Sequence, residues 1–133
     1  MSLDRTANML SSIKNAAMAK KQVVEIFYSK ECESIAKVLE KKGFLSEVKV
    51  FKPADKSYKM LHLELYVDQD GNYSVTDVKR ISKPGRRVYK PAKEIHPIAA
   101  GFGTVVVSTS RGIFSGEEAR KRKLGGEVIC EVR

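Results

Sequence analysis

Met60-Leu61-His62-Leu63-Glu64-Leu65-Tyr66-Val67 decides the fold. Leu61, Leu63, Leu65 and Val67 fall on one side of an extended chain, and His62, Glu64 and Tyr66 on the other. So regular a period of two describes a strand in a sheet with one buried face and one wet face. Something must cover the leucines, and the flanking sequence supplies it. Upstream, Met9, Leu10, Ile13, Ala16 and Ala17 recur at helical spacing behind a cap at Asp4 or Thr6. Cys32, Ile35, Ala36 and Leu39 repeat the i, i+3, i+4, i+7 pattern behind a cap at Ser29. Lys41 and Lys42 oppose the negative end of that second helix, Gly43 supplies its left-handed stop, and Phe44 folds back over the last turn. Val23–Tyr28 and Leu45–Phe51 read as the remaining strands, with turn chemistry at Pro53-Ala54-Asp55 and Asp70-Gly71. The order is αβαββ.

A second pattern begins beyond a boundary near residues 68–85. Val78–Ser82 reads as a strand leading into Lys83-Pro84-Gly85, where Pro suits position i+1 and Gly position i+2 of a type II turn. Strands follow at Arg87–Tyr89 and Thr104–Thr109, then a turn at Arg111-Gly112 and a short strand through Ile113-Phe114. Ser115 and Glu118 form a capping box for a third helix. Its last turn carries Arg120, Lys121, Arg122 and Lys123 before a stop at Gly125, and Glu127–Val132 alternates as a final strand. The fold class is α+β in two small lobes: residues 1–75 of αβαββ type, and residues 76–133 mostly β with one short helix.

Charge separates the lobes more sharply than pattern does. The 133 residues carry a formal net charge of +9. Residues 1–78 hold 12 Lys/Arg against 11 Asp/Glu, whereas residues 79–133 hold 13 against 5. A lobe this basic beside a near-neutral one is expected when one of the two faces a polyanion. No apolar run approaches the ~20 residues that span a bilayer, and the N-terminus lacks a secretory apolar region. Cys32 and Cys130 have no Cys or His at ligand spacing, and each lies on an apolar stripe as a packed thiol. The expectation is a cytoplasmic protein with no metal, no cofactor and no membrane partner.

The basic lobe also carries the residues suited to recognition. Lys83, Arg86, Arg87 and Lys90 crowd a turn fixed by Pro84 and Gly85, and Tyr89 beside them offers a stacking face. Without that turn they would read as a solvated basic loop. Ser108-Thr109-Ser110 would ordinarily mark a strand running into a loop. Three hydroxyls in a row next to a glycine and a basic helix can instead donate to and accept from base edges and ribose hydroxyls, which phosphate contacts alone do not read. Gly125-Gly126-Glu127 reads most simply as a helix stop and the start of a strand, and would also let backbone amides approach a nucleotide. Catalysis has little support: Gly101-Phe102-Gly103 lacks the third glycine of a dinucleotide loop, and His62 and His96 have no nucleophile at motif spacing. A DNA-binding regulator shares the charge, but the third helix is short for a major groove.

Several stretches resemble the family of the eighth protein of the bacterial small ribosomal subunit, from end to end of the chain. They are Ile81 through Tyr89, Lys93-Glu94-Ile95, and Gly101 through Val132, with Asn8-Met9-Leu10 and Ile13-Lys14-Asn15-Ala16 near the start. The resemblance implies a non-catalytic protein that binds the central domain of 16S-type rRNA and helps assemble the subunit platform. It implies RNA contacts at Tyr89, Ser108, Thr109, Ser110, Gly125, Gly126 and Glu127, charge from Lys83, Arg86 and Arg87, and further contacts at Lys14 and Asn15. Expected partners are rRNA and neighbouring small-subunit proteins, the protein being monomeric when free. In some bacteria the family also represses its own messenger, so the operon mRNA is a candidate partner. Two positions depart from the family pattern: Asp4-Arg5 replaces Asp-Pro, and Arg133 replaces a final tryptophan.

Overall fold

The computed structural model describes residues 4–98 and 101–133, which divide into two compact units, Met1–Thr76 and Asp77–Arg133. In the first, α1 (Arg5–Met18) is capped by Asp4, whose carboxylate accepts from the Ala7 amide at 3.1 Å. Its buried stripe is Thr6, Met9, Leu10, Ile13 and Ala16. Strand β1 (Val23–Phe27) leads to α2 (Lys30–Lys41), where Ser29 Oγ accepts from the Cys32 amide at 3.1 Å. The helix closes with Phe44 N–H donating to Leu39 O and Gly43 N–H to Glu40 O, with Gly43 at φ +88°. Those bonds satisfy carbonyls that the helix end leaves open, and the left-handed residue favours glycine.

Strands β2 (Leu45–Phe51) and β3 (Met60–Leu65) complete an antiparallel sheet in the order β1-β3-β2. Leu61, Leu63 and Leu65 are fully buried, and each contributes about 2 kcal/mol of apolar burial. The helices pack on this sheet: α1 against β1, α2 against β2, and α1 against α2. The strand expected through Val67 stops at Leu65. Beyond it the chain turns early, since Asp68 Oδ1 accepts from the Asp70 and Asn72 amides, and Val67 keeps only an isolated bridge to Tyr73.

The second unit is built around its last strand. Here β4 (Val78–Arg80), β5 (Tyr89–Lys90), β6 (Thr104–Thr109), β7 (Gly112–Ser115) and β8 (Gly126–Val132) form one antiparallel sheet. β8 lies between β6 on one side and, on the other, β4 at its C-terminal end and β5 at its N-terminal end. Ile95, Val105, Val107, Ala119 and Val128 form its core cluster, with Ile81, Ile98 and Phe114 packed against it. Ser115 Oγ caps α3 (Gly116–Lys121) through the Glu118 amide, while the Glu118 carboxylate holds Arg122 Nε at 2.7 Å.

Three local expectations are corrected here. The strand read as Val78–Ser82 ends at Arg80, because Ser82 turns its hydroxyl inward to bond the backbone of β8's Val128. The strand read as Arg87–Tyr89 is instead Tyr89–Lys90, which pair with Glu127 and Gly126 of β8, since the Val88 amide is taken by the Ser82 hydroxyl. The third helix stops at Lys123 (φ 59°), not at Gly125. Leu124 N–H donates to Ala119 O and Lys123 N–H to Arg120 O, which closes the helix without a glycine.

Candidate nucleic-acid interface

Three strands of the second unit gather residues that are far apart in sequence. Tyr89 pairs with Glu127, and Glu127 with Ser108, so the three form one row across β5, β8 and β6 and share a face. Tyr89 is 68% exposed, which leaves its ring open to stacking. Ser110 and Arg111, both exposed, form the tip of the β6–β7 hairpin above the Thr109–Gly112 pair. The Thr109 hydroxyl donates to Gly112 O at 2.7 Å and accepts from the Arg111 amide at 3.2 Å. Thr109 thus holds the tip in shape, and Ser110 is the hydroxyl presented at it. Sequence reasoning passed over Arg111, which is legible only as a cation inside a predicted turn.

The two glycines have a structural reason of their own. A Cβ on Gly126 would overlap Ser108 O and stand 2.9 Å from Ser108 C and 3.1 Å from Thr109 Cα. A Cβ on Gly125 would stand 2.7 Å from Lys90 O and 2.8 Å from Pro91 Cα. All five neighbours are backbone atoms, which cannot swing aside as a side chain can. Glycine at 125 and 126 therefore lets the start of β8 lie close to both the β5 segment and β6.

The basic turn is held from beneath. Lys83 and Arg86 exchange both backbone hydrogen bonds at 2.9 Å, and Gly85 sits at φ +84° as a type II turn requires. Ser82, 2% exposed, donates its hydroxyl to Val128 O at 2.7 Å and accepts from the Val88 amide at 2.9 Å. Arg80 Nε donates to Ser82 O at 2.6 Å. Residues 82–88 are thereby tied to β8, and the exposed Lys83 and Arg86 project from a fixed loop. Sequence reasoning missed Ser82; its only trace is a small hydroxyl residue at the mouth of a Pro-Gly turn.

Other cations serve the unit itself. Arg87 pairs with Glu127 at 3.1 Å, so Glu127's negative charge is offset beside the basic turn. Arg120 donates to Ile95 O at 3.2 Å, and the Arg122 guanidinium lies 4.7 Å from the Phe114 ring centroid. Of the four cations in the basic run, Lys121 and Lys123 are the exposed ones with no such bond among the described residues. Lys14 and Asn15 lie on α1 of the first unit, away from its buried stripe, Asn15 exposed and Lys14 half-buried.

Nothing in this set is an activated nucleophile. Burial pushes the Cys130 thiol up to about 12 and also raises Cys32, so both stay protonated and inert. His62 is engaged by Glu25 and Glu64, and His96 stands exposed beside an apolar-floored cleft of about 400 Å³. Hydroxyls, preorganised cations and an exposed aromatic on a closely packed sheet are the groups with which RNA-binding proteins take up nucleic acid.

The chain belongs to the ribosomal protein S8 family, whose model matches residues 4–133. Among curated proteins it is 43% identical to the small ribosomal subunit protein uS8 of Nautilia profundicola over 97% of both chains. It is 40% identical to that of Rhodopirellula baltica over 99% of both, and 38% identical to that of Helicobacter pylori over 97% of both. Its general role is thus that of a structural, rRNA-binding ribosomal protein and not of an enzyme.

Proposed function

We propose that the C-terminal lobe binds the central domain of small-subunit rRNA and that this binding helps assemble the subunit platform. The row of Tyr89, Glu127 and Ser108, with Ser110 at the adjoining hairpin tip, is the observation that carries the reading. Tyr89 stacks on an unpaired base, while Ser108 and Ser110 exchange hydrogen bonds with base edges or ribose 2′-hydroxyls. Backbone around Gly125 and Gly126 meets the sugar–phosphate strand closely. Lys83 and Arg86 neutralise phosphates, with Arg87 held beside them by Glu127. Lys14 and Asn15 of the N-terminal helix contact the same RNA, and Thr109 acts by holding the hairpin tip. Neighbouring small-subunit proteins complete the environment in a cytoplasmic ribosome, and the operon messenger is a second RNA target where it mimics the ribosomal site.

Filter binding to a central-domain rRNA fragment tests this. Ser110→Ala should weaken binding by about 0.5–1.5 kcal/mol, one ordinary hydrogen bond. Arg86→Ala should weaken it across all RNA sequences and reduce the slope of log K against log salt by about 1. Parental affinity for Ser110→Ala together with an unchanged slope for Arg86→Ala would overturn the assignment of the surface. Equal affinity for duplex DNA would favour the DNA-binding alternative.

A further inference from the structure

The polar face of the first unit's sheet plays no part in RNA recognition as proposed above. Strand register sets Glu25 and Lys49 on either side of His62, and one row further it sets Glu47 directly opposite Glu64. A bulge in β2 between Leu45 and Glu47 adjoins this pairing, and bulges re-aim side chains. Like charges directly opposed across strands are destabilising, so this pair calls for positive charge between its members. Lys49 Nζ lies 2.7 Å from Glu47 Oε1, but its side chain is 68% exposed and offsets little. His62 Nδ1 lies 2.9 Å from Glu25 Oε2, and Nε2 lies 3.2 Å from Glu64 Oε2. One ligand atom each from Glu47, His62 and Glu64 falls within 4.8 Å of the other two.

We propose that Glu47, His62 and Glu64 bind one divalent transition-metal ion of the zinc class, with Glu25 positioning the imidazole from behind. One imidazole nitrogen and two carboxylate oxygens make a three-ligand set that leaves a fourth position to water. Bonds of about 2.0–2.2 Å bring tetrahedral ligands to roughly 3.4 Å from one another. The glutamates reach that spacing by moving about 1 Å, within their side-chain freedom. Glu25 accepting from Nδ1–H fixes the tautomer whose Nε2 lone pair points to the metal, as orienting carboxylates do behind metal-bound histidines. The nitrogen donor separates this site from the all-oxygen preference of magnesium and calcium. A dication also cancels the facing glutamate charges and allows Lys49 to swing into solvent. Spacing along the chain conceals the site, because Glu47 reaches His62 and Glu64 only through the pairing of β2 with β3.

Titration of the full, tag-free chain with cobalt(II), followed by zinc displacement, tests the proposal. One equivalent of cobalt should produce the intense visible bands of a four- or five-coordinate ion, reversed by zinc and unaffected by excess magnesium. His62→Gln should abolish the bands, Glu25→Gln should weaken binding about 10–100-fold, and His96→Gln should change nothing. Far-ultraviolet circular dichroism checks that each variant folds. If His62→Gln does not fold, the Glu47→Gln/Glu64→Gln pair carries the same expectation of lost binding. Absence of saturable binding, survival of the bands in the ligand variants, or a thiolate charge-transfer band would each overturn the assignment.

Discussion

Replacing Gly126 with alanine separates two reasons for a glycine at the start of β8. The added methyl would overlap the Ser108 carbonyl oxygen and crowd Ser108 C and Thr109 Cα. Relief requires β6 and β8 to part by about 1 Å where Ser108 pairs with Glu127. Overpacking against a well-filled neighbour costs about 1–3 kcal/mol, and weakening one or two ladder hydrogen bonds adds about 0.5–1.5 kcal/mol each. The sum is about 3 kcal/mol. Urea unfolding followed by circular dichroism suits a chain without tryptophan. The midpoint should fall by about 1–3 M, and rRNA affinity should fall with it as the Tyr89–Glu127–Ser108 row opens. If Gly126→Ala keeps parental stability and loses only RNA affinity, the glycine serves the ligand and not the strands, and the reasoning fails.

Ser82→Ala removes a hydroxyl that is both donor and acceptor in the protein interior. It should cost about 1–3 kcal/mol in urea unfolding and weaken RNA binding by loosening the Lys83–Arg86 turn; unchanged stability would show that the turn does not depend on Ser82. His62 is held above its ordinary 6.5, chiefly by hydrogen bonding to Glu25 and then to Glu64, with burial opposing. A raised folded value means stabilisation that is complete below pH 6.5 and is lost as pH climbs through the folded value. Metal-free stability should therefore decline across that window, and His62→Gln should flatten the profile; a parallel decline in the variant would assign the trend to other groups. Cys32 and Cys130 are buried and protonated, so a thiol reagent should label the native protein slowly and the urea-unfolded protein fast. Rapid native labelling would contradict their burial.

Much of the architecture was legible in the chain because local periodicity and capping chemistry agree with the tertiary fold. The leucine alternation of β3, the Ser29 and Ser115 caps, the Gly43 stop and the Pro84-Gly85 turn each depend on residues within a few positions of one another. Misreadings arose where a distant partner overrode local preference. Lys123 ends a helix that seemed to await Gly125, Arg80 ends a strand that Ser82 leaves, and β5 is short because the Val88 amide goes to the Ser82 hydroxyl.

Sequence alone determined the α+β class, the concentration of positive charge beyond residue 78 and the identity of the hydroxyl, glycine and cation set. These are properties of composition and near-neighbour spacing. Only the tertiary structure decided which of those residues share a surface. It set Tyr89, Glu127 and Ser108 in a row, matched Arg87 to Glu127, and drew Arg120 and Arg122 toward the protein's own groups. It also brought Glu47 to His62 and Glu64. The reason is physical: strand pairing joins residues tens of positions apart to within a side chain's length, and the register that chooses them depends on the whole sheet.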